Sequence, residues 1–320
     1  MLEGLLFNFA VIAIGFLLLS KAASEAIKRA IPLARHWGFS EFVVSFLFIG
    51  LVAILPELVI GIISALSGAP SFGAGVVIGS NIADLTLIVG LVAVLTNGIS
   101  LENHTFGDMK KLVLFIALPL VLFLDGELSR IDGLALIISF IIYLFFMLRK
   151  SSTTPTTELG HNNVYVAREI VFLLGAVIVM IFSAYLITDA AKQINSALAL
   201  PIFFVGIMVA IGTCTPELIV SVKSNRQKHG ELGLGDILGN VFADCLLTLG
   251  IIALVAPIKP GQPLLVITSF FLVIFSMITL LVLSKSENRI SKDEGIYLIV
   301  LYFFFLAIQF GLEQIITNNI

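Results

Sequence analysis

The chain has 320 residues, of which 59% are hydrophobic and only 12% are charged, with a formal net charge of −3. Soluble domains carry roughly 25% charged residues, so a chain with so few charges could not hide its apolar surface in water. The composition therefore places the chain in a lipid bilayer, and the small net charge gives no indication of a nucleic-acid partner.

Ten apolar segments follow one another along the chain, each near the roughly 20 residues that cross a bilayer as a helix. They lie at about 4–27, 40–66, 72–96, 111–125, 131–148, 166–190, 200–222, 233–256, 263–284 and 294–316. The first starts with Glu3 rather than a basic cluster and has no cleavage-like site, so we expect a retained helix. The predicted fold class is an all-α membrane protein with ten transmembrane helices.

A polar segment, "RKSSTTPTTELGHNNVYVAR" at 149–168, divides the ten predicted helices into two groups of five. It is rich in Ser, Thr, Pro and Asn, which is typical of a linker. The predicted organisation is a first five-helix repeat at 1–148, a linker at 149–168 and a second five-helix repeat at 169–320.

Basic residues are distributed unevenly between the two sides of the predicted membrane. Fifteen of the 18 Lys and Arg residues lie in or next to connections that follow odd-numbered helices. Short connections rich in Lys and Arg stay in the cytoplasm. We therefore expect both termini outside the cell, the 149–168 linker in the cytoplasm, and the protein in the plasma membrane.

The two halves share a sequence repeat. The stretch "LPELVI" at 55–60 recurs as "TPELIV" at 215–220, and the same offset of 160 aligns Gly79 with Gly239 and Asp84 with Asp244. An odd number of helices separates the copies, so they are expected to cross the membrane in opposite directions. Inverted repeats with interrupted helices at corresponding positions are typical of secondary transporters, whose substrate site lies near the middle of the membrane.

Four acidic residues lie inside predicted helices, with no intramembrane Lys or Arg to pair with them: Glu57, Asp84, Glu217 and Asp244. A charge at the bilayer centre costs at least ~2.5 kcal/mol, and four acids at matching depths are hard to explain as tolerated polar residues. Carboxylates suit hard cations such as Ca²⁺, which takes about six to eight oxygen ligands. These acids are the candidate metal-binding residues.

A proline precedes each of the two glutamates. Proline lacks an N–H, and its ring clashes with the carbonyl four residues earlier. Pro56 and Pro216 are therefore expected to free backbone carbonyls near Ala53 and Gly212, which are tolerated at membrane depth only where they line a cavity. We expect the second, third, seventh and eighth helices to be broken, and the freed oxygens to act as neutral cation ligands.

The third and eighth predicted helices carry "GSNIAD" at 79–84 and "GNVFAD" at 239–244. The glycine that opens each motif allows close approach of another helix. Ser80 and Asn240 stand four residues before the aspartates and share their helix face. They are predicted to complete the cation's coordination.

At these residues the chain resembles the cation/calcium exchanger superfamily, the Na⁺/Ca²⁺ exchangers and their relatives. That family carries two inverted repeats, with "G-T-S-x-P-E" on the second and seventh helices and "G-S-N-x-x-[ND]" on the third and eighth. The resemblance covers essentially the whole chain. It implies that the two glutamates are the central carboxylates of a Ca²⁺ site and that the two aspartates flank it. It also implies that Thr213, Ser80 and Asn240 help to bind monovalent ions.

The motifs depart from the family pattern in several places. "VAILPE" puts Ala53 and Ile54 where hydroxyl residues are usual, and "GTCTPE" keeps Thr213 but has Cys214 in place of serine. Asp84 stands where Na⁺/Ca²⁺ exchangers often have asparagine. Four ionised acids and one Ca²⁺ leave two negative charges uncompensated, so we hypothesise that Asp84 or a neighbour is protonated during part of the cycle.

The resulting prediction is a secondary active antiporter, not an enzyme, that exchanges Ca²⁺ for Na⁺ by alternating access and holds no prosthetic group. A H⁺/Ca²⁺ exchanger of the same fold is the alternative. "GLGD" at 233–236 matches a motif of intramembrane aspartyl proteases, but the aligned "GAGV" at 73–76 indicates repeat architecture instead. A passive cation channel fits less well, because channels gather identical subunits around an axis.

Overall fold

A computed structural model describes residues 2–36, 54–100, 112–150, 163–226, 230–285 and 289–318. In this part of the chain the helices are α1 (Leu2–His36), α2 (Leu55–Leu66), α3 (Pro70–Ala83), α4 (Val89–Leu95), α5 (Leu118–Leu122), α6 (Arg130–Lys150), α7 (Asn163–Leu198), α8 (Ile202–Val209), α9 (Thr215–Arg226), α10 (Gly230–Ala243), α11 (Leu249–Val255), α12 (Pro263–Lys285) and α13 (Lys292–Asn318). Two short strands, β1 (Ile99–Ser100) and β2 (Arg289–Ile290), form an antiparallel pair.

The chain is an integral, multi-pass membrane protein. Seven helical segments of the described residues are long and apolar enough to cross a bilayer, and two shorter apolar helices cover Leu55–Leu66 and Leu112–Asp125. Each of the ten predicted segments contains helix where it is described, although the second is described only from Ile54 onward. Helix is described up to Lys150 and from Asn163 onward, so it extends into both ends of the predicted linker, because a helix need not end where its apolar residues end.

The predicted breaks take two different forms. Between α8 and α9 the chain passes through a 3₁₀ turn at Ala210–Gly212, so the seventh predicted helix is interrupted before Pro216. The third and eighth predicted helices are not broken, which corrects the expectation from sequence: each continues through a π-helical turn, Asp84–Ile88 and Asp244–Thr248. A π turn keeps the helix continuous while widening it locally, and such turns occur frequently at functional sites.

Two long helices, the first of each half, pack against each other along their length: α1 and α7. Near one end of the pair, Arg29 donates to the buried carboxylate of Glu169 at 3.0 Å and lies over the ring of Phe172, 4.8 Å from its centroid. The pair contributes to a separate apolar cluster, which also includes residues of α2, α3 and α8. The remaining helices share a larger cluster.

Glycines bring α3 and α8 into backbone contact. A Cβ atom on Gly75 would overlap the carbonyl oxygen of Phe203, and one on Gly206 would overlap that of Phe72. Such close approach is a common way of packing transmembrane helices, where small residues permit extensive van der Waals contact. Since α3 leads into the turn at Asp84 and α8 leads toward Glu217, this contact fixes the spacing of acid-bearing segments from the two halves.

The halves also contact each other reciprocally. A Cβ on Gly90 would lie 2.6 Å from the carbonyl oxygen of Gly295, and a Cβ on Gly133 would lie 2.6 Å from that of Gly250. Gly90 and Gly250 are related by the sequence offset of 160. Equivalent short helices, α4 and α11, therefore pack in the same manner against the last helix of the opposite half.

The connections that precede these last helices are built alike. Ser129 and Asp132 form a capping box at the start of α6, with the backbone N–H of Ser129 donating to Asp132 at 2.8 Å. Ser291 and Glu294 form the same box before α13, at 2.7 Å. Such boxes satisfy free N–H groups at a helix start. They fix where each last helix begins.

Backbone pairing joins these connections to the other half. Ile99 pairs with Ile290 between β1 and β2, and Leu128 forms an isolated antiparallel bridge with Ile258. At the second pairing, Lys259 makes an ion pair with Glu127. Each of the two reciprocal helix contacts is thereby held at one end by main-chain hydrogen bonds.

The backbone contact between α3 and α8 predicts that a methyl group added at a glycine of this contact destabilises the protein more than one added at an open glycine. Gly75→Ala and Gly206→Ala should each destabilise the protein by about 1–3 kcal/mol or more through overpacking. Thermal stability in detergent, followed by the monodisperse fraction that survives heating, measures the effect.

Gly175→Ala in α7 is the matched control, because no heavy atom of the described residues lies within 4 Å of its Cβ position. It should be neutral or slightly stabilising, since alanine favours a helix over glycine by roughly 1 kcal/mol. Equal losses in all three variants would contradict the packing described here.

Candidate functional site

The four acids predicted from sequence are all buried in the structure. Glu57 and Glu217 lie in the first turns of α2 and α9, and are 4% and 5% exposed. Asp84 and Asp244 are the first residues of the two π turns, and are 4% and 2% exposed. Each half thus contributes one acid from a helix start and one from a π turn.

The acids lie close enough to repel one another. The segments that carry them pack against each other across the halves, since α2 contacts the turn Asp244–Thr248 and α9 contacts the turn Asp84–Ile88. No Lys or Arg of the described residues forms an ion pair with any of them. Within the described residues, the four buried acids therefore face one another without a basic side chain to pair with them.

Each of these acids keeps one buried oxygen without a hydrogen-bond partner among the described residues: Glu57 Oε2, Asp84 Oδ1, Glu217 Oε2 and Asp244 Oδ1. A buried carboxylate oxygen that is not hydrogen-bonded costs free energy. A hard cation or a proton is the chemical partner that relieves this cost without adding another negative group. The donor set therefore fits a cation such as Ca²⁺.

The acids do not form a ready metal cluster in the described residues. Within the described ranges, no three His, Cys, Asp or Glu side chains are placed to hold a metal ion as they stand. The oxygens that could add to the set come from hydroxyl, amide and main-chain groups of the same segments.

Ser80 lies beside an acid of the opposite half, and Asn240 is buried in the helix that leads to Asp244. The Ser80 hydroxyl donates to the carbonyl of Val77 at 2.9 Å and lies 3.5 Å from Asp244 Oδ2, an acid of the opposite half. Asn240 is 3% exposed, and its side-chain oxygen has no hydrogen-bond partner in the described residues.

Thr213 and Cys214 occupy the turn before α9. The Thr213 hydroxyl donates to the carbonyl of Ala210 at 2.8 Å and lies beside Glu57 of the other half. The Cys214 thiol lies 3.4 Å from the same carbonyl and beside Asp84. Both side chains are 1% exposed, so this turn forms part of the wall around the acids.

The main chain at this turn has free acceptors. Leu218 N donates to the carbonyl of Cys214 at 3.2 Å, but no backbone N–H of the described residues donates to the carbonyl of Gly212 or Thr213. Pro216 cannot donate to Gly212, as expected from its missing N–H. Ala53, which the offset of 160 relates to Thr213, lies outside the described residues.

One contact across the halves was missed by the sequence reasoning. Asn81 Nδ2 lies 3.3 Å from the sulfur of Cys245, and both residues are buried. The positions related to them by the offset of 160 are Val241 and Leu85, which are apolar. Repeat alignment could therefore not reveal this pair, because it has no copy.

The fold and the site define a class of protein. Intramembrane acids that face the interior of a helix bundle mark ion pathways, and here two acids come from each half of a multi-pass membrane protein. A family model described as sodium/calcium exchanger protein matches the chain twice, at residues 7–149 and 169–311. The chain belongs to the sodium/calcium exchanger family and is a cation/Ca²⁺ antiporter by that membership.

Individual relatives match along nearly the whole chain. The sodium/calcium exchanger MaX1 of Methanosarcina acetivorans is 26% identical, over 95% of this chain and 98% of its own length. The uncharacterized membrane protein MJ0091 of Methanocaldococcus jannaschii is 29% identical, over 92% and 95%. A solved structure of the sodium-calcium exchanger NCX_Mj aligns with a TM-score of 0.64 and 26% identity, covering 95% of this chain and 99% of that one.

The mutual repulsion of the acids predicts that removing one charge stabilises the cation-free protein. Two unit charges several ångströms apart repel by roughly 2 kcal/mol at an effective dielectric constant of about 20. Glu217→Gln, which keeps the shape of the side chain, should raise the thermal unfolding midpoint by a few degrees in buffer free of divalent ions at pH 8.

Glu25→Gln is the control, because the Glu25 carboxylate is paired with Lys28 at 2.7 Å and with Arg29 at 3.2 Å. Its neutralisation removes attraction and should leave the midpoint unchanged or lower it. A lower midpoint for Glu217→Gln than for wild type would contradict the repulsion.

Proposed function

We propose that the protein exchanges Ca²⁺ for Na⁺ across the membrane by alternating access at a site near the membrane midplane. The metal-binding residues are Glu57, Asp84, Glu217 and Asp244. The observation that carries the proposal is the burial of these four acids, two from each half, in segments that pack against one another, with no ion pair to a basic residue in the described part of the chain.

Oxygen chemistry supports this choice of ions. Ca²⁺ and Na⁺ are hard cations that prefer carboxylate, carbonyl and hydroxyl oxygens. The carbonyls of Gly212 and Ala53 add neutral ligands, and Thr213, Ser80 and Asn240 take part in binding monovalent ions. Relatives point the same way, since MaX1 is named a sodium/calcium exchanger and NCX_Mj crystals were soaked with Na⁺, Ca²⁺ or Sr²⁺.

Two oppositely directed halves would give the site a path to each side of the membrane. The repeats, 1–148 and 169–320, are separated by an odd number of predicted helices, so each would present the same structure to an opposite face. The reciprocal contacts of Gly90 with Gly295 and of Gly133 with Gly250 support such a relation. Both termini are proposed to lie outside, the 149–168 linker in the cytoplasm, and the protein in the plasma membrane.

A H⁺/Ca²⁺ exchanger of the same fold is the second candidate. It is favoured by the fourth acid, because one Ca²⁺ neutralises only two of the four charges in a buried region. In this mechanism Asp84 or a neighbour carries a proton for part of the cycle, and the proton replaces one Na⁺. No prosthetic group takes part in either mechanism.

Ion flux in reconstituted vesicles tests the proposed exchange. Ca²⁺ uptake by wild type should require an outward Na⁺ gradient, and Glu217→Gln should reduce it by at least about 100-fold, because a central ligand and its charge are lost. Radioactive Ca²⁺ uptake, corrected for empty vesicles, is the measurement. Glu25→Gln should retain wild-type flux. Full activity in Glu217→Gln, or uptake that no counter-ion gradient can drive uphill, would contradict the proposal.

A pH gradient separates the two coupling ions. With Na⁺ absent on both sides, an outward proton gradient should drive Ca²⁺ uptake only if a carboxyl group exchanges a proton for the cation. Asp84→Asn should then abolish the proton-driven component and leave Na⁺-driven uptake measurable. Uptake that follows the Na⁺ gradient and ignores pH would eliminate the proton mechanism.

A further inference from the structure

The function described so far does not use a fifth acid of the second half. Asp236 lies in α10, eight residues before Asp244, and is half-buried. No described residue donates a hydrogen bond to its carboxylate or forms an ion pair with it. It is the last residue of the stretch "GLGD". The repeat alignment with "GAGV" accounts for the two glycines of this stretch but not for the aspartate.

Helix geometry places Asp236 in line with the four-acid site. Asp236, Asn240 and Asp244 follow one another at intervals of four residues and share one face of the helix. Each interval rises about 6 Å along the axis. The middle member, Asn240, is 3% exposed and keeps a side-chain oxygen without a partner among the described residues. A line of oxygens thus runs from near the start of α10 to the buried acids.

The charge of Asp236 reaches this site. The helix that carries it packs against the segments that carry two of the acids, since α10 contacts α9 and the turn Asp84–Ile88. A cation held at Asp236 is therefore already within the field of the four acids. Asp236 is half-buried rather than enclosed, so part of its side chain lies at the surface of the protein near the start of α10.

The first half has no equivalent of this residue. The position related to Asp236 by the offset of 160 is Val76, which is fully buried in the apolar cluster that contains α1 and α7. The corresponding line in the first half, Val76, Ser80 and Asp84, therefore has its outermost oxygen replaced by an apolar side chain. The line of oxygens is complete on one side of the molecule only.

We propose that Asp236 is a one-sided capture site for the divalent cation. A cation that enters from the face where α10 begins meets Asp236 first, then passes Asn240 to reach the four acids. A carboxylate on the entry path raises the local concentration of cations and their rate of association. The opposite face lacks this step. This inference rests on the proposed exchange at the four-acid site, and it assigns Asp236 to ion entry rather than to the final coordination.

Flux with Ca²⁺ varied on one face at a time tests the sidedness, using right-side-out and inside-out vesicles. Asp236→Asn should raise the half-saturating Ca²⁺ concentration about 3- to 10-fold on the face where α10 begins, and high ionic strength should reduce the difference. The opposite face and the maximal rate should stay at wild-type values. Asp236→Glu should behave as wild type. So should Asp293→Asn, which removes an exposed acid from the start of α13.

A binding measurement keeps this inference separate from the proposed function. Rapid filtration with radioactive Ca²⁺ and detergent-solubilised protein should give a lower association rate for Asp236→Asn than for wild type, at unchanged stoichiometry. An unchanged association rate, or equal effects on both faces, would overturn the capture site even if exchange occurs. Wild-type protein that binds Ca²⁺ without any counter-ion-driven flux would contradict the proposed exchange alone, and the association rate would still decide the role of Asp236.

Discussion

The repulsion among four buried carboxylates is the constraint on which the rest of the structure depends. A helix bundle in lipid has no water to screen these charges, and the described residues provide no basic partner for them. The bundle must therefore hold the acids by other means. It does so with backbone contacts at glycines, with π turns that remain hydrogen-bonded, and with main-chain bridges between connections. The ion pairs of the described residues, such as that of Arg29 with Glu169, do not involve the four acids.

Sequence alone located the acids, because Pro, Glu and Asp are rare in membrane helices and their repetition at one offset is improbable by chance. The offset could not predict which groups meet, since it relates equivalent residues and not neighbours. Ser80 shares a helix face with Asp84 of its own half, and the structure also places it beside Asp244 of the other half, which the offset does not indicate. The same limit hid the contact between Asn81 and Cys245.

Helix interruptions were predicted where proline removes a hydrogen bond, and the turn before α9 agrees with that chemistry. The π turns at Asp84 and Asp244 could not be predicted in this way. A π turn is a change in hydrogen-bond partner that any residue type can adopt, so it leaves no compositional signal. What the sequence did identify at each turn is its first residue, the buried aspartate.

The pair of Asn81 and Cys245 has a consequence for how such a molecule can be assembled. Two separate, identical five-helix chains would form this contact twice or not at all. In the same way, they would both carry an aspartate at the position of Asp236, or neither would. Joining both halves in one polypeptide removes that restriction, so each half can acquire its own side chains while the backbone framework stays duplicated. Covalent fusion thereby permits a molecule whose two entrances are chemically different.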